Sequence, residues 1–231
     1  MAEIVPETPR ATSIVLDLPG WPGHRAGQHV DVRLTAEDRY QAQRSYSIAS
    51  APEDGYLVLT IELVPDGDVS SYLASGLRAG DQLELRGPIG GYFVWDDCAR
   101  EPVLLVAGSS GIVPFRSMLR HRQAAADDVA VRLLYSARSL QDVIYRDELM
   151  RFAAYDEVDI RLALTREWPQ TWHGHRGRID SRLLSEVSWP AGDRPRIFIC
   201  GPTPFVETAA STAAQGLPSG RIKTERFGPA G

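Results

Sequence analysis

The chain predicts an antiparallel β-barrel followed by a parallel-sheet α/β domain. Three observations carry this expectation. Up to about residue 98, short alternating runs are separated by Pro-Gly, Asp-Gly and Ala-Gly pairs. Beyond it, strand-like and helical runs alternate, as in a parallel sheet flanked by helices. Val103–Ala107 is apolar without interruption, which suits a strand buried on both faces. The expected domains are therefore residues 1–98 and 99–231 of the 231.

In the first domain the alternating runs place strands over Thr12–Leu18, Gln28–Leu34, Ser45–Ser50, Tyr56–Leu63 and Gln82–Arg86. A short helix follows Gly67, from about Ser70 to Leu77, with Ser70 suited to its N-cap. In the second domain the strand at Val103–Ala107 leads into a helix over Gly111–Gln123. A strand at Val129–Tyr135 precedes a helix at Ile144–Phe152, and Val158–Leu164 is the next strand. A strand at Ile197–Cys200, an alanine-rich helix at Thr203–Gln215 and a strand at Arg221–Arg226 complete the pattern.

Composition removes several classes of function. A net charge of -5 argues against nucleic acid as the main partner. No apolar run approaches the about 20 residues that cross a bilayer. The opening MAEIVPETPR lacks the basic and greasy segments of a secretory signal. Cys98 and Cys200 are the only cysteines. Two cannot build a disulfide framework, a four-cysteine zinc site or an iron–sulfur cluster, and a cytoplasmic location is expected. His173 and His175 lack a third ligand nearby, so no metal site is expected. Lys223 is the only lysine, so an anion would be gripped by guanidinium forks.

Six segments could carry chemistry, and each also has a plain structural reading. Arg44-Ser45-Tyr46-Ser47 puts an arginine and an aromatic ring on one side of a strand, suited to a phosphate and a planar ring. The same residues could be one exposed arginine and one core tyrosine. Gly67-Asp68-Val69-Ser70 opens a helix whose free amides could face a pyrophosphate, or are simply capped. Ala107-Gly108-Ser109-Ser110-Gly111-Ile112-Val113-Pro114 links a strand to a helix, as a nucleotide loop or as an ordinary turn. Cys200-Gly201-Pro202 lies at the carboxyl end of a strand, where ligands of open α/β sheets bind, or holds a buried structural cysteine. Arg138, Arg166 and Arg178 each follow a strand and could converge on a phosphate monoester, or be solvated surface. Glu225-Arg226-Phe227 is the last segment, and could equally be a solvated glutamate and a strand-end phenylalanine that packs down.

In this order, R-S-Y-S, G-D-V-S-S-Y-L, G-S-S-G-I-V-P, C-G-P and E-R-F resemble the ferredoxin–NADP reductase superfamily over nearly the whole chain. The resemblance implies a Greek-key barrel that binds FAD and a second domain that binds a nicotinamide nucleotide. Arg44 would hold a flavin phosphate, Tyr46 would pack on the isoalloxazine, and Ser47 would bond near its N5. Gly67, Val69 and Ser70 would meet the pyrophosphate. Gly108, Ser110, Gly111 and Pro114 would form the nucleotide loop. Cys200 would lie beside the nicotinamide and Glu225 in the active-site hydrogen-bond network. Ser47, Cys200 and Glu225 are thus the expected catalytic set. Phe227 would cover the flavin. Arg138, Arg166 and Arg178 would bind a 2′-phosphate, favouring NADPH over NADH.

The implied activity is an oxidoreductase moving hydride from NADPH to FAD, then electrons singly to a separate acceptor such as ferredoxin or flavodoxin. Alternatives are an NADH-dependent reductase component of a multicomponent oxygenase and a non-catalytic flavin-binding electron-transfer subunit. A stand-alone reductase without a ferredoxin domain is expected. The Gly-Ser-Ser-Gly loop and the four residues after Phe227 depart from the commoner family pattern.

Overall fold

The computed structural model describes residues 3–35, 39–64, 67–78, 80–96, 98–155, 157–215 and 219–228. It divides into two compact units. One comprises residues 1–95 with 113–124, the other residues 96–112 with 125–231.

In the first unit, β1 (Glu3–Thr8), β2 (Ala11–Leu16) and β5 (Leu57–Glu62) form one antiparallel sheet. β3 (His29–Thr35), β4 (Gln41–Ser47) and β6 (Glu84–Ile89) form the other. A bridge between Ile48 and Leu59 joins them, so the order round the barrel is β1-β2-β5-β4-β3-β6, a Greek key. The sheets share one core that includes Ile14, Val30, Val32, Ile48, Leu59 and Ile61. Alternation puts these residues inside.

α1 (Asp68–Ser71) runs on into a wider turn at Tyr72–Gly76. Val69 and Leu73 of this segment complete the core. The helix starts at Asp68, two residues before the expected position, because the Ser71 N–H already bonds the Gly67 carbonyl at 2.9 Å. Ser70 therefore sits inside the first turn and is not the N-cap.

α2 (Val113–Ala124) also belongs to this unit. Its Ser117 hydroxyl donates to the Ser50 carbonyl at 2.6 Å. Arg120 donates twice to Asp54, at 2.9 and 2.6 Å. Phe115 meets Phe93 with ring centroids 5.9 Å apart.

The second unit is a six-stranded parallel sheet ordered β10-β9-β8-β7-β11-β12. Its strands are β7 (Val103–Gly108), β8 (Val131–Ala137), β9 (Val158–Leu164), β10 (His175–Arg176), β11 (Arg196–Pro202) and β12 (Ile222–Phe227). α3 (Arg146–Phe152) lies against β9. α4 (Ser181–Val187) and α5 (Thr203–Ala213) cover one face through Leu183, Leu184, Val206 and Ala209. β10 and α4 are additions to the elements expected from sequence. All described segments of this unit fit the parallel α/β expectation.

Candidate functional site

Each unit gathers its own set of candidate residues. In the barrel, β4 pairs with β3 along Gln41–Ser47, with Val32 opposite Arg44 and Val30 opposite Tyr46. Paired residues share a face, so Arg44 and Tyr46 point the same way. Tyr46 is half-buried against the core, and Arg44 is exposed. The other edge of β4 has no strand along this length among the described residues. α1 lies beside it. The unpaired side of β4 and the start of α1 are thus neighbours.

Electrostatics suits an anion and a flat ring beside β4. The Arg44 guanidinium donates to the Gln43 carbonyl at 2.7 Å and has no acidic partner among the described residues. Burial pushes the Tyr46 phenol up to about 12, although nearby Arg44 pulls the other way. Its hydroxyl therefore stays neutral at physiological pH. Ser47 is half-buried at the end of β4, opposite His29. Ser70 is already engaged: it accepts the Val64 N–H at 3.3 Å and donates to the Gly67 carbonyl at 3.3 Å. Val69 is a core residue, 2% exposed. Neither side chain is thus available to a ligand at these two positions.

In the second unit the strand order reverses at β7. The chain runs outward through β8, β9 and β10, then returns to β11 on the other side. Crevices at such reversals, outside the carboxyl ends of strands, are the ligand sites of open α/β sheets. Gly108 ends β7 here and Cys200-Gly201-Pro202 ends β11. The loop between β7 and α2 winds tightly over Ser109–Ile112. Ser109 has φ of 53°, a left-handed conformation that costs a non-glycine residue of order 1 kcal/mol or more.

Gly111 lies directly on the Cys200 carbonyl, so a Cβ there would overlap backbone. This glycine is required by packing of the loop on β11. Pro114 is buried in the first turn of α2, within the other unit, and Ser110 is half-buried.

Register pairs Cys200 with Glu225 and Pro202 with Phe227 across β11 and β12. Cys200 is 1% exposed. Burial, and secondarily the Glu225 charge, push its thiol well above its ordinary value. Cys200 is thus a neutral thiol and no nucleophile. Glu225 and Phe227 are half-buried.

The three arginines fall at the carboxyl edge of the same sheet. Arg138 follows β8, Arg166 follows β9 and Arg178 follows β10. The first two loops are tied, since the Arg166 N–H donates to the Arg138 carbonyl at 2.9 Å. The Arg178 carbonyl bonds His175 Nε2 at 3.2 Å. None of the three guanidiniums has an acidic partner among the described residues. Sequence reasoning missed Phe205, whose ring fills the space beside Gly108 and Gly201 at the reversal. Its position three residues past Cys-Gly-Pro, in the first turn of α5, was the available signal. The left-handed Ser109 had no signal in composition.

Comparison with known proteins agrees with this geometry. Residues 13–94 match the family described as oxidoreductase FAD-binding domain, and residues 105–211 match the oxidoreductase NAD-binding domain. The chain is 34% identical over 209 residues to a glycine betaine monooxygenase reductase subunit of Pseudomonas aeruginosa, covering 89% of this chain and 56% of that protein. It thus spans about half the length of that relative. A solved FAD/NAD-binding domain of nitric oxide dioxygenase from Vibrio cholerae superposes with a TM-score of 0.85 at 25% identity, over 98% of this chain and 96% of that one. Ferredoxin–NADP reductase B of Sorangium cellulosum is 35% identical over 210 residues, covering 87% of this chain and 84% of that protein. With the Greek-key barrel, the strand reversal and a relative of matching extent in agreement, the chain belongs to the ferredoxin–NADP reductase superfamily.

Proposed function

We propose that the protein is a flavin-dependent reductase that draws on NADPH and passes electrons to a separate acceptor protein. The observation that carries the nucleotide choice is the trio Arg138, Arg166 and Arg178. Three guanidiniums without acidic partners at one sheet edge suit a dianionic 2′-phosphate. A bare ribose hydroxyl would favour an acidic residue instead. When bound, the flavin supplies the chemistry, accepting two electrons as hydride and releasing them one at a time.

The chain's own residues bind and orient. Arg44 pairs with a flavin phosphate, the amides of Val69 and Ser70 face the pyrophosphate, and Gly67, whose own N–H donates to the Val64 carbonyl at 3.1 Å, shapes the turn before them. The neutral Tyr46 packs on the ring system, and Ser47 bonds near its reactive nitrogen. Gly108, Ser110, Gly111 and Pro114 shape the nucleotide loop. Cys200 and Glu225 flank the nicotinamide, where a neutral thiol offers contact without charge. Phe227 is the aromatic residue the nicotinamide must move past. Alignment of this kind can supply about 7–11 kcal/mol of a barrier.

The acceptor is a separate protein: a ferredoxin, a flavodoxin or an oxygenase component. The oxygenase reading is favoured by relatives named as monooxygenase and dioxygenase reductase components. The proposed location is the cytoplasm, where the exposed free thiol of Cys98 stays reduced. No described helix is long and apolar enough to cross a membrane.

The test is kcat/KM for NADPH against NADH in the wild type and in Arg166→Ala/Arg178→Ala. The expected result is a wild-type preference for NADPH that the double variant loses selectively, by about 100-fold. An equal loss with both nucleotides would refute the assigned role of the arginines.

A further inference from the structure

The sheet of the second unit ends in an incomplete edge. β10 covers β9 only at Ala163 and Leu164. The Leu164 carbonyl faces that edge, where it accepts the Gly177 N–H at 2.7 Å. By strand alternation the backbone groups of Leu162, Ile160 and Val158 face the same edge. The Val158 N–H turns back to the Tyr155 carbonyl at 3.1 Å. No described strand pairs with the edge from Val158 to Leu162. Beside it runs a groove of about 700 Å³ whose lining includes Met150, Ile160, Leu162 and His173. Met150 is 63% exposed there.

The sequence of this free edge is Val158-Asp159-Ile160-Arg161-Leu162. It reads apolar, acidic, apolar, basic, apolar, so reversal about Ile160 exchanges the two charges for their opposites. Two copies paired antiparallel on a twofold axis at Ile160 would set Asp159 of each against Arg161 of the other. Val158 would face Leu162, and Ile160 would face itself. A shift by one residue would set charges against apolar side chains. In one copy Arg161 Nε already donates to both Asp159 oxygens, at 3.0 and 3.1 Å, so the two charges stand on one face. Charged side chains normally guard an edge against indiscriminate pairing. Here their arrangement admits one partner, the same strand in reverse, which is the self-complementarity an isologous dimer requires.

We propose that the chain forms a weak homodimer by antiparallel pairing of β9 edges, with one sheet running through both copies. The length of free edge sets its extent, since β10 blocks further pairing beyond Ala163. A contact this short belongs to the small, reversible class of interfaces.

The test is sedimentation velocity of the full chain across a range of concentrations, with Arg161→Asp, Asp159→Arg and the double swap. The wild type should show a reversible dimer that high salt weakens. Each single swap sets like charges opposite and should weaken association at least about tenfold. The double swap again sets opposite charges face to face and should restore it. The Ile160 amide should exchange hydrogen more slowly as the dimer fills. A chain that stays monomeric at every concentration overturns the proposal. A dimer that survives either single swap, or one that leaves Ile160 exchange unchanged, overturns it too. So does a correctly folded double swap that stays monomeric.

Discussion

His24 and Asp54 show how burial and hydrogen bonding compete at single residues. His24 Nδ1 accepts the Trp21 indole N–H at 3.3 Å, so its proton sits on Nε2, which donates to the Ser50 carbonyl at 3.0 Å. Burial lowers its pKa below the ordinary 6.5, and the Ser50 bond offsets part of that. The unfolded chain therefore binds this proton more readily than the folded one. Stability should fall as pH drops below about 6.5 and level off below the folded pKa. His24→Gln should flatten that slope, checked by urea midpoints at about pH 7.5 and about pH 5. At Asp54 burial opposes ionisation, but bonds from Arg120 and the Ala51 N–H outweigh it and hold the carboxyl below 3.8. Its contribution is present above 3.8 and is lost as pH falls through the lower folded value. Arg120→Ala would leave this part-buried carboxylate short of donors, an expected loss of about 1–3 kcal/mol in denaturant unfolding. Arg44→Ala should weaken FAD binding by about 10- to 100-fold in a fluorescence titration while the fold is kept.

At the scale of elements, the nucleotide loop is the most constrained piece. Gly111 has the Cys200 carbonyl where a side chain would start. Gly111→Ala pits backbone against backbone, so the loop or the end of β11 must shift. The expected cost is about 1–3 kcal/mol in thermal or denaturant unfolding, with weaker NADP binding in the same variant. Full nucleotide affinity in a stable Gly111→Ala protein would refute the fit described for this loop. Two elements were less legible for identifiable reasons. β1 carries Pro6, which breaks the usual strand signature and is tolerated because the strand lies at a sheet edge. α4 had a readable start, since the Asp180 side chain caps the Leu183 N–H at 2.8 Å. Its brevity, Ser181–Val187, kept the helical period from standing out.

For the whole molecule, ligand binding and stability are linked. A cofactor that binds only the folded chain, present at 100 times its Kd, adds about 2.7 kcal/mol. At this chain length that is roughly 5–11 °C of melting temperature. FAD should therefore raise the melting temperature of the apoprotein, and NADP should add a further increment in scanning fluorimetry. If FAD leaves the melting curve unchanged, the face of β4 that carries Arg44 and Tyr46 is not a flavin site. Phe227→Ala should change NADP affinity and turnover while leaving the FAD shift intact.

The two-part architecture was legible along the chain, because alternation at period two and the unbroken apolar run at Val103–Ala107 are local consequences of which faces are buried. The sequence also placed Arg138, Arg166 and Arg178 at one edge, since each follows a strand of a parallel sheet. The pairing of Cys200 with Glu225 depended on tertiary structure, because register between β11 and β12 is set by packing across the 24 residues that lie between them in the chain. So did the assignment of α2 to the barrel unit, which rests on contacts such as Ser117 to Ser50 and Arg120 to Asp54. Phe205 beside Gly108 and Gly201, and the neutrality of Cys200, have the same origin. Burial and long-range contact depend on what folds against a residue, and neighbours along the chain do not encode that.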